Sequence, residues 1–197
     1  MALVAWPSAL TQIQSSWRFA RTQRYGPETL GGVRSIVAIP GGRWYCTLQL
    51  ALNNSDRVLA YRGWLAAMLG MENASAVPVC DPYGARSYTT PGTMAGSYSA
   101  NATAVVVSGL NSAGLVVGMY IGIGSGTAMN LHMITAAAGS SLTIEPGLRA
   151  AVTAATPCSL APTSRMRLLS PGEGAPDLQY LKFGTASINM IEAYEET

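Results

Sequence analysis

The sequence predicts a mainly β protein: an antiparallel β-sandwich or barrel with one packed α-helix, followed by a second small β-barrel unit. Three observations predict it. Trp44, Cys46, Leu48 and Leu50 alternate with Arg43, Tyr45, Thr47 and Gln49, the period of a strand with one buried face. Only residues 56–69 carry apolar side chains at helical spacing. From Thr103 onward, short strand-like runs recur between Gly, Ser, Asn and Pro, which punctuate hairpins.

Taken in order, Gln12 to Ala20 reads as a first strand, and Tyr25-Gly-Pro-Glu as a turn-rich link. Val33 to Ile39 is rich in β-branched residues, Pro40-Gly41-Gly42 reads as a turn, and Arg43 to Leu52 resumes the strand. This pattern predicts a β-hairpin folded at the Pro-Gly-Gly. Asn53-Asn54-Ser55-Asp56 offers short polar side chains that accept from the free amides of a first helical turn. In the helix that follows, Val58, Leu59, Leu65, Met68 and Leu69 are expected on the packed side, with Tyr61 and Trp64 at its margins and Gly70 as the stop.

Ala76 to Cys80 reads as a short strand. Asp81 to Ala100 is dense in Pro, Gly, Ser, Thr and Tyr and is expected to be a long loop or arm that orders on a partner. Six further strands are expected: Ala104–Val107, Leu115–Ile123, Met129–Thr135, Leu142–Glu145, Arg165–Leu169 and Tyr180–Ile191. The organisation expected is a hairpin-plus-helix unit over residues 1–100, with an arm at 81–100, and a barrel-like unit over 101–197. One continuous domain is the alternative.

Composition narrows the function. Charged residues are 11% of the chain and hydrophobic residues 49%, where soluble domains carry about 25% charge. So little charge points to a membrane or to a surface covered by other subunits. The longest apolar-looking stretch, Ala113 to Ile123, is interrupted by Gly114, Gly118 and Gly122, well short of the roughly twenty residues of a spanning helix. No basic residue precedes the short apolar run at the N-terminus, so no secretion signal is expected. Burial against other subunits is the reading that remains.

Residues 1–100 hold eight arginines against four acids, and residues 101–197 hold four bases against six. Opposite signs on the two halves favour head-to-tail contacts, and the net +2 is too small to argue for nucleic acid. The three cysteines, Cys46, Cys80 and Cys158, are far apart and are expected to be reduced.

Signals for chemistry are sparse. His132 is the only histidine, which makes a metal site or a Ser-His-Asp triad hard to build; it reads as a sheet residue. Gly122-Ile-Gly-Ser-Gly-Thr has Thr127 where a dinucleotide fingerprint needs its last glycine, and the single lysine, Lys182, follows no glycine-rich loop. These glycines read as a β-turn. No catalytic residue, cofactor or metal is expected. Arg18, Arg21 and Arg24 beside Trp17 and Tyr25 read as a subunit-contacting edge, with phosphate contact as the lesser reading. Tyr83, Arg86, Tyr88 and Tyr98 of the expected arm complete the candidate interface. Trp6, Trp17, Trp44 and Trp64 read as anchors between hairpin and helix; exposed rings would instead make a carbohydrate platform.

The order of several short motifs resembles a family of bacteriophage distal tail proteins, found at the tip of long non-contractile tails. The motifs are Arg43-Trp44 after Pro40-Gly-Gly, the helix Asp56–Leu69 with Tyr61 and Trp64, Leu131-His-Met-Ile-Thr-Ala, Leu142-Thr-Ile-Glu-Pro-Gly-Leu-Arg149, and Arg165-Met-Arg-Leu168. The resemblance implies a non-enzymatic virion protein, made in the bacterial cytoplasm. It would form a ring, commonly a hexamer, that joins the tail tube to the hub and lines the channel for DNA. Three other readings are a neighbouring tail role (tube, terminator or hub), a carbohydrate- or receptor-binding β module, and a peptidoglycan hydrolase built on His132.

Overall fold

The computed structural model describes residues 2–28, 32, 34–81, 91–110, 114–126, 129–178 and 184–194, with side chains at all of these except 25 and 34–40. The chain is mainly β, as expected. It forms a seven-stranded sheet and a closed six-stranded barrel.

The strands of the sheet are β1 (Leu3–Val4), β2 (Thr11–Glu28), β3 (Arg34–Leu52), β4 (Ala74–Pro78), β11 (Thr163–Leu168), β12 (Pro176–Asp177) and β13 (Gly184–Glu192). Their order is β1-β4-β11-β13-β3-β2, with β12 on β13, and β1 runs parallel to β4. The barrel strands are β5 (Gly92–Met94), β6 (Ala104–Ser108), β7 (Tyr120–Ile123), β8 (Asn130–Ala138), β9 (Ser141–Glu145) and β10 (Pro157–Ser159). They close antiparallel in the order β10-β5-β6-β9-β8-β7.

The barrel is an insertion in the sheet. The chain leaves after β4 and returns at β11, and Val79 N–H donates to Pro162 O (3.0 Å) where the two crossings meet. An expected division at residue 100 falls between β5 and β6, inside the barrel. The reason is burial: Met166 and Leu168 of β11 and Ile188 and Met190 of β13 pack with Cys46, Leu48 and Leu50 of β3 in one core. That core needs strands from both ends of the chain. The second half of the expected arm is likewise barrel, through β5 and the antiparallel bridge between Tyr98 and Val152; residues 82–90 lie outside the described residues.

Pro40-Gly41-Gly42 is not the hairpin turn. β3 runs through it, and β2 pairs with β3 along its length, from Thr11↔Ala51 to Glu28↔Arg34. Between the pairs Arg21↔Gly42 and Gln23↔Ala38, one residue of β2 faces three of β3. The Pro-Gly-Gly is therefore a bulge, which suits a proline that has no N–H to donate. Gly41 and Gly42 have φ of +137° and +133°, and a Cβ on Gly42 would stand 2.5 Å from Ala20 O. Only glycine fits there.

The helix α1 (Ser55–Ala67) starts where expected, with Asn54 Oδ1 accepting from Arg57 N–H at 2.8 Å. Its phase differs from expectation. Val58, Tyr61, Trp64 and Met68 are buried, while Leu59 and Leu69 are more than 60% exposed. The aromatics set the phase because their polar tips find partners in the core: Tyr61 O–H donates to Gly174 O and Trp64 Nε1–H to Ser75 Oγ at 3.2 Å. Both rings then bury large apolar areas with no polar atom orphaned.

Candidate interaction surface

Helix and barrel cover the same face of the sheet. Along β3 the inward residues are Trp44, Cys46, Leu48, Leu50 and Leu52. The last four pack in the core that includes α1, and Trp44 packs with Leu131 and Val79 under the barrel, Phe19 and Tyr120 bordering them. Trp44 Nε1–H donates to Leu131 O at 2.9 Å. Beside it lies a buried ion pair: Arg149 Nη2–H donates to Glu192 Oε2 (2.8 Å) and to Gly42 O (2.8 Å), while Trp44 N–H donates to the same carboxylate oxygen (3.1 Å). Burial raises the Glu192 carboxyl above its ordinary range, against the pull of Arg149 and the Trp44 amide. The pair fixes barrel to sheet, since a lone buried charge is strongly unfavourable.

Above this junction opens a cleft of ≈ 820 Å³, with Arg21, Arg43, Tyr45, Glu145, Arg149 and Tyr194 in its wall. An ion pair crosses it, Arg21 Nε to Glu145 Oε1 at 3.1 Å, with Arg21 well exposed.

Beyond the junction the hairpin continues alone. β13 pairs with β3 only between residues 45 and 52, so among the described residues no third strand pairs with residues 21–28 or 34–42. Among the described residues no strand lies against the outer edge of β2. Thr22, Gln23 and Arg24 are exposed on this ribbon. A two-stranded ribbon is marginal in water, and open edges template pairing with further strands.

The candidate interface residues are scattered by the fold. Arg21 and Arg24 sit on the free ribbon, Arg21 facing the barrel through Glu145. Arg18 lies on the opposite face of the sheet, stacked over the Tyr45 ring at 5.4 Å. Tyr98 packs on the barrel core, and its oxygen accepts Val106 N–H at 2.8 Å. Tyr83, Arg86 and Tyr88 lie outside the described residues. The tryptophans pack inward: Trp44 and Trp64 are buried, Trp6 meets Trp64 edge-on at 5.2 Å, and Trp17 borders the core.

His132 lies in β8 on the same side as Ile134 of the barrel core and is wholly buried. Its Nδ1 lies 2.8 Å from Pro146 O, which makes Nδ1 the protonated nitrogen of a neutral ring, and Nε2 has no partner. Burial lowers its pKa to about 4, the Pro146 bond opposing and Arg149 assisting. Among the described residues no three His, Cys, Asp or Glu side chains group as a metal site. Burial also raises the thiols of Cys46 and Cys158, the latter to about 11, which keeps them as unreactive thiols.

The fold and its surfaces thus define a β protein with an inserted barrel and a free two-stranded ribbon. No protein-family model and no curated protein matches the sequence.

Proposed function

We propose that this chain is a structural subunit of a phage tail tip. Copies of it assemble into a ring that connects the tail tube to the hub and surrounds the DNA channel. The resemblance of its motifs supports the tail role, and the low charge of 11% supports a subunit with covered flanks. The observation that carries assembly is the ribbon of residues 21–28 and 34–42, whose strands pair only with each other among the described residues. Reaching a neighbouring copy, it gives each subunit a donor surface distinct from its acceptor surface. Such a heterologous contact closes into a ring when its rotation divides the circle.

Light scattering on the purified protein tests this reading. The expected mass is a multiple of 20.6 kDa, and replacing residues 23–38 by an Asn-Gly turn reduces it to that of one chain. Labelling in electron micrographs is expected at the distal end of the tail. A full-length chain that stays monomeric at high micromolar concentration and is missing from virions overturns the proposal.

A further inference from the structure

The side of the sheet turned away from helix and barrel has a chemistry of its own. The register sets Arg167 beside Ile191, Ile191 beside Tyr45, and Tyr45 beside Arg18. One row across four strands therefore ends in a guanidinium at each side, and at about 4.8 Å per strand those ends stand about 14 Å apart. Arg43 lies two residues before Tyr45 on β3 and projects on the same side; at this end the side opens onto the cleft that Arg43 and Tyr45 share with Glu145. The next row in the other direction is Ser16, Thr47 and Asn189, with Thr47 Oγ1 2.8 Å from Asn189 Oδ1.

In the rows from Ser16 to Ala20 of β2, and in the paired parts of β3, β11 and β13, no acidic residue projects from this side; Glu145 shares the cleft that Arg43 and Tyr45 border, and Arg43 is near enough to Glu192 to pull its carboxyl down. Glu192 points the opposite way into the junction. Glu173 reaches the rim, where it accepts from Asn189 N–H and Nδ2–H at 3.2 and 3.1 Å. Arg18, Arg43 and Arg167 have no carboxylate within ion-pair distance among the described residues. The Nε–H of Arg167 is buried and has no partner among the described residues, and Arg165, which has an interaction of its own, projects on the same side. Surfaces that serve solubility alone intersperse both signs. Here a chain with only twelve basic residues sets four on one side of one sheet, among hydroxyls and amides.

We propose that this uncovered face binds the phosphodiester backbone of nucleic acid without reading its sequence. Phosphate contacts are made by Arg with Ser, Thr, Asn, Gln and Tyr, and those are the residues of this face. The Arg18 guanidinium lies over the Tyr45 ring at 5.4 Å, and a guanidinium held on an aromatic face keeps a fork of N–H groups that suits a phosphate. A span of about 14 Å reaches about four phosphates of one strand at 3.4 Å each. An acidic protein surface meets the same charge, yet the large apolar side chains of the face, Tyr45, Ile191 and the edge residue Leu169, are spread among polar ones and form no apolar centre such as that interface needs.

The test is fluorescence anisotropy with a labelled 20-base-pair duplex of random sequence between 50 and 200 mM NaCl. Three phosphate contacts predict an affinity that falls about 40-fold over that range, and loss of two contacts in Arg18→Gln/Arg167→Gln leaves about a 4-fold fall. Arg62→Gln, on the exposed side of α1, is expected to bind as the unaltered chain does. Thermal melting checks that each variant is folded. The proposal is overturned by any of three results: no binding at 50 mM NaCl, a double variant with an unchanged salt slope, or polyglutamate that displaces the duplex at equal charge concentration. Binding is read on the chain in whatever state of assembly it has. A negative result therefore leaves ring formation standing, and a monomeric protein leaves this inference standing.

Discussion

The barrel and the sheet use the same strand chemistry to opposite ends. Each barrel strand has two partners, so closure leaves no edge. Its inward side chains fill it, from Met94 and Val105 to Ile144 and Cys158, all nearly inaccessible. The sheet is as well packed on one side, yet among the described residues it keeps an open edge along β2, a ribbon with no third strand, and a face that neither helix nor barrel core covers. Stability resides in the barrel, the core under α1 and the junction between them, while the capacity to meet other molecules resides in what the sheet leaves unpaired.

Breaking the junction has the largest expected effect. Glu192→Ala strands Arg149 as a buried charge and is expected to lower unfolding free energy by about 3–5 kcal/mol. The double change Glu192→Ala/Arg149→Met is expected to recover most of it, as measured by urea denaturation. In calorimetry, the single variant is expected to separate the melting of barrel and sheet into two steps. One unshifted transition would show that the two regions are held together by Trp44 and its neighbours alone.

Acid distinguishes the regions next. His132 is buried neutral with a pKa of about 4, below its ordinary 6.5. The stability that depends on its neutral form is complete above pH 6.5 and is lost as the pH falls through 4. Each pH unit in that window costs about 1.4 kcal/mol, so about 2 kcal/mol is expected to go between pH 6.5 and 5. Glu192, raised rather than lowered, opposes this change. The comparison is therefore made against His132→Met, whose denaturation midpoint is expected to fall less over the same interval. Equal acid sensitivity in the two proteins would place the titrating group elsewhere.

The smallest effect belongs to the cleft. Arg21→Ala removes an ion pair whose arginine is over half exposed, and a change of less than about 1 kcal/mol is expected. A larger loss would mean that the ribbon is braced by the barrel rather than free of it.

The element types were legible because their signals are local. Alternation from Arg43 to Leu52 marks a strand whatever it pairs with, and Asn54 caps a helix from three residues away. The phase of that helix was not legible: Leu59 looks as buriable as Tyr61 until Gly174 and Ser75 arrive to receive the aromatic hydroxyl and indole. Pro40-Gly41-Gly42 looks like a turn in sequence, and only the partner strand makes it a bulge. The binding face was half legible. Arg165 and Arg167, two apart in a strand, announce one side. Arg18 and Arg21, three apart, fall on opposite sides, as an odd spacing in a strand dictates.

What the chain's order of residues determined alone was a β-rich architecture with one helix, few charges and no recognisable catalytic grouping, because period and composition need no distant partner. The tertiary structure decided that β11 to β13 return to the first sheet, that the residues between form a closed barrel, and that arginines from β2, β3 and β11 share one side of that sheet. Those outcomes depend on pairing between segments far apart in the chain, β4 with β11, β5 with β10 and β3 with β13, where the match of buried faces selects the partner and no local pattern records it.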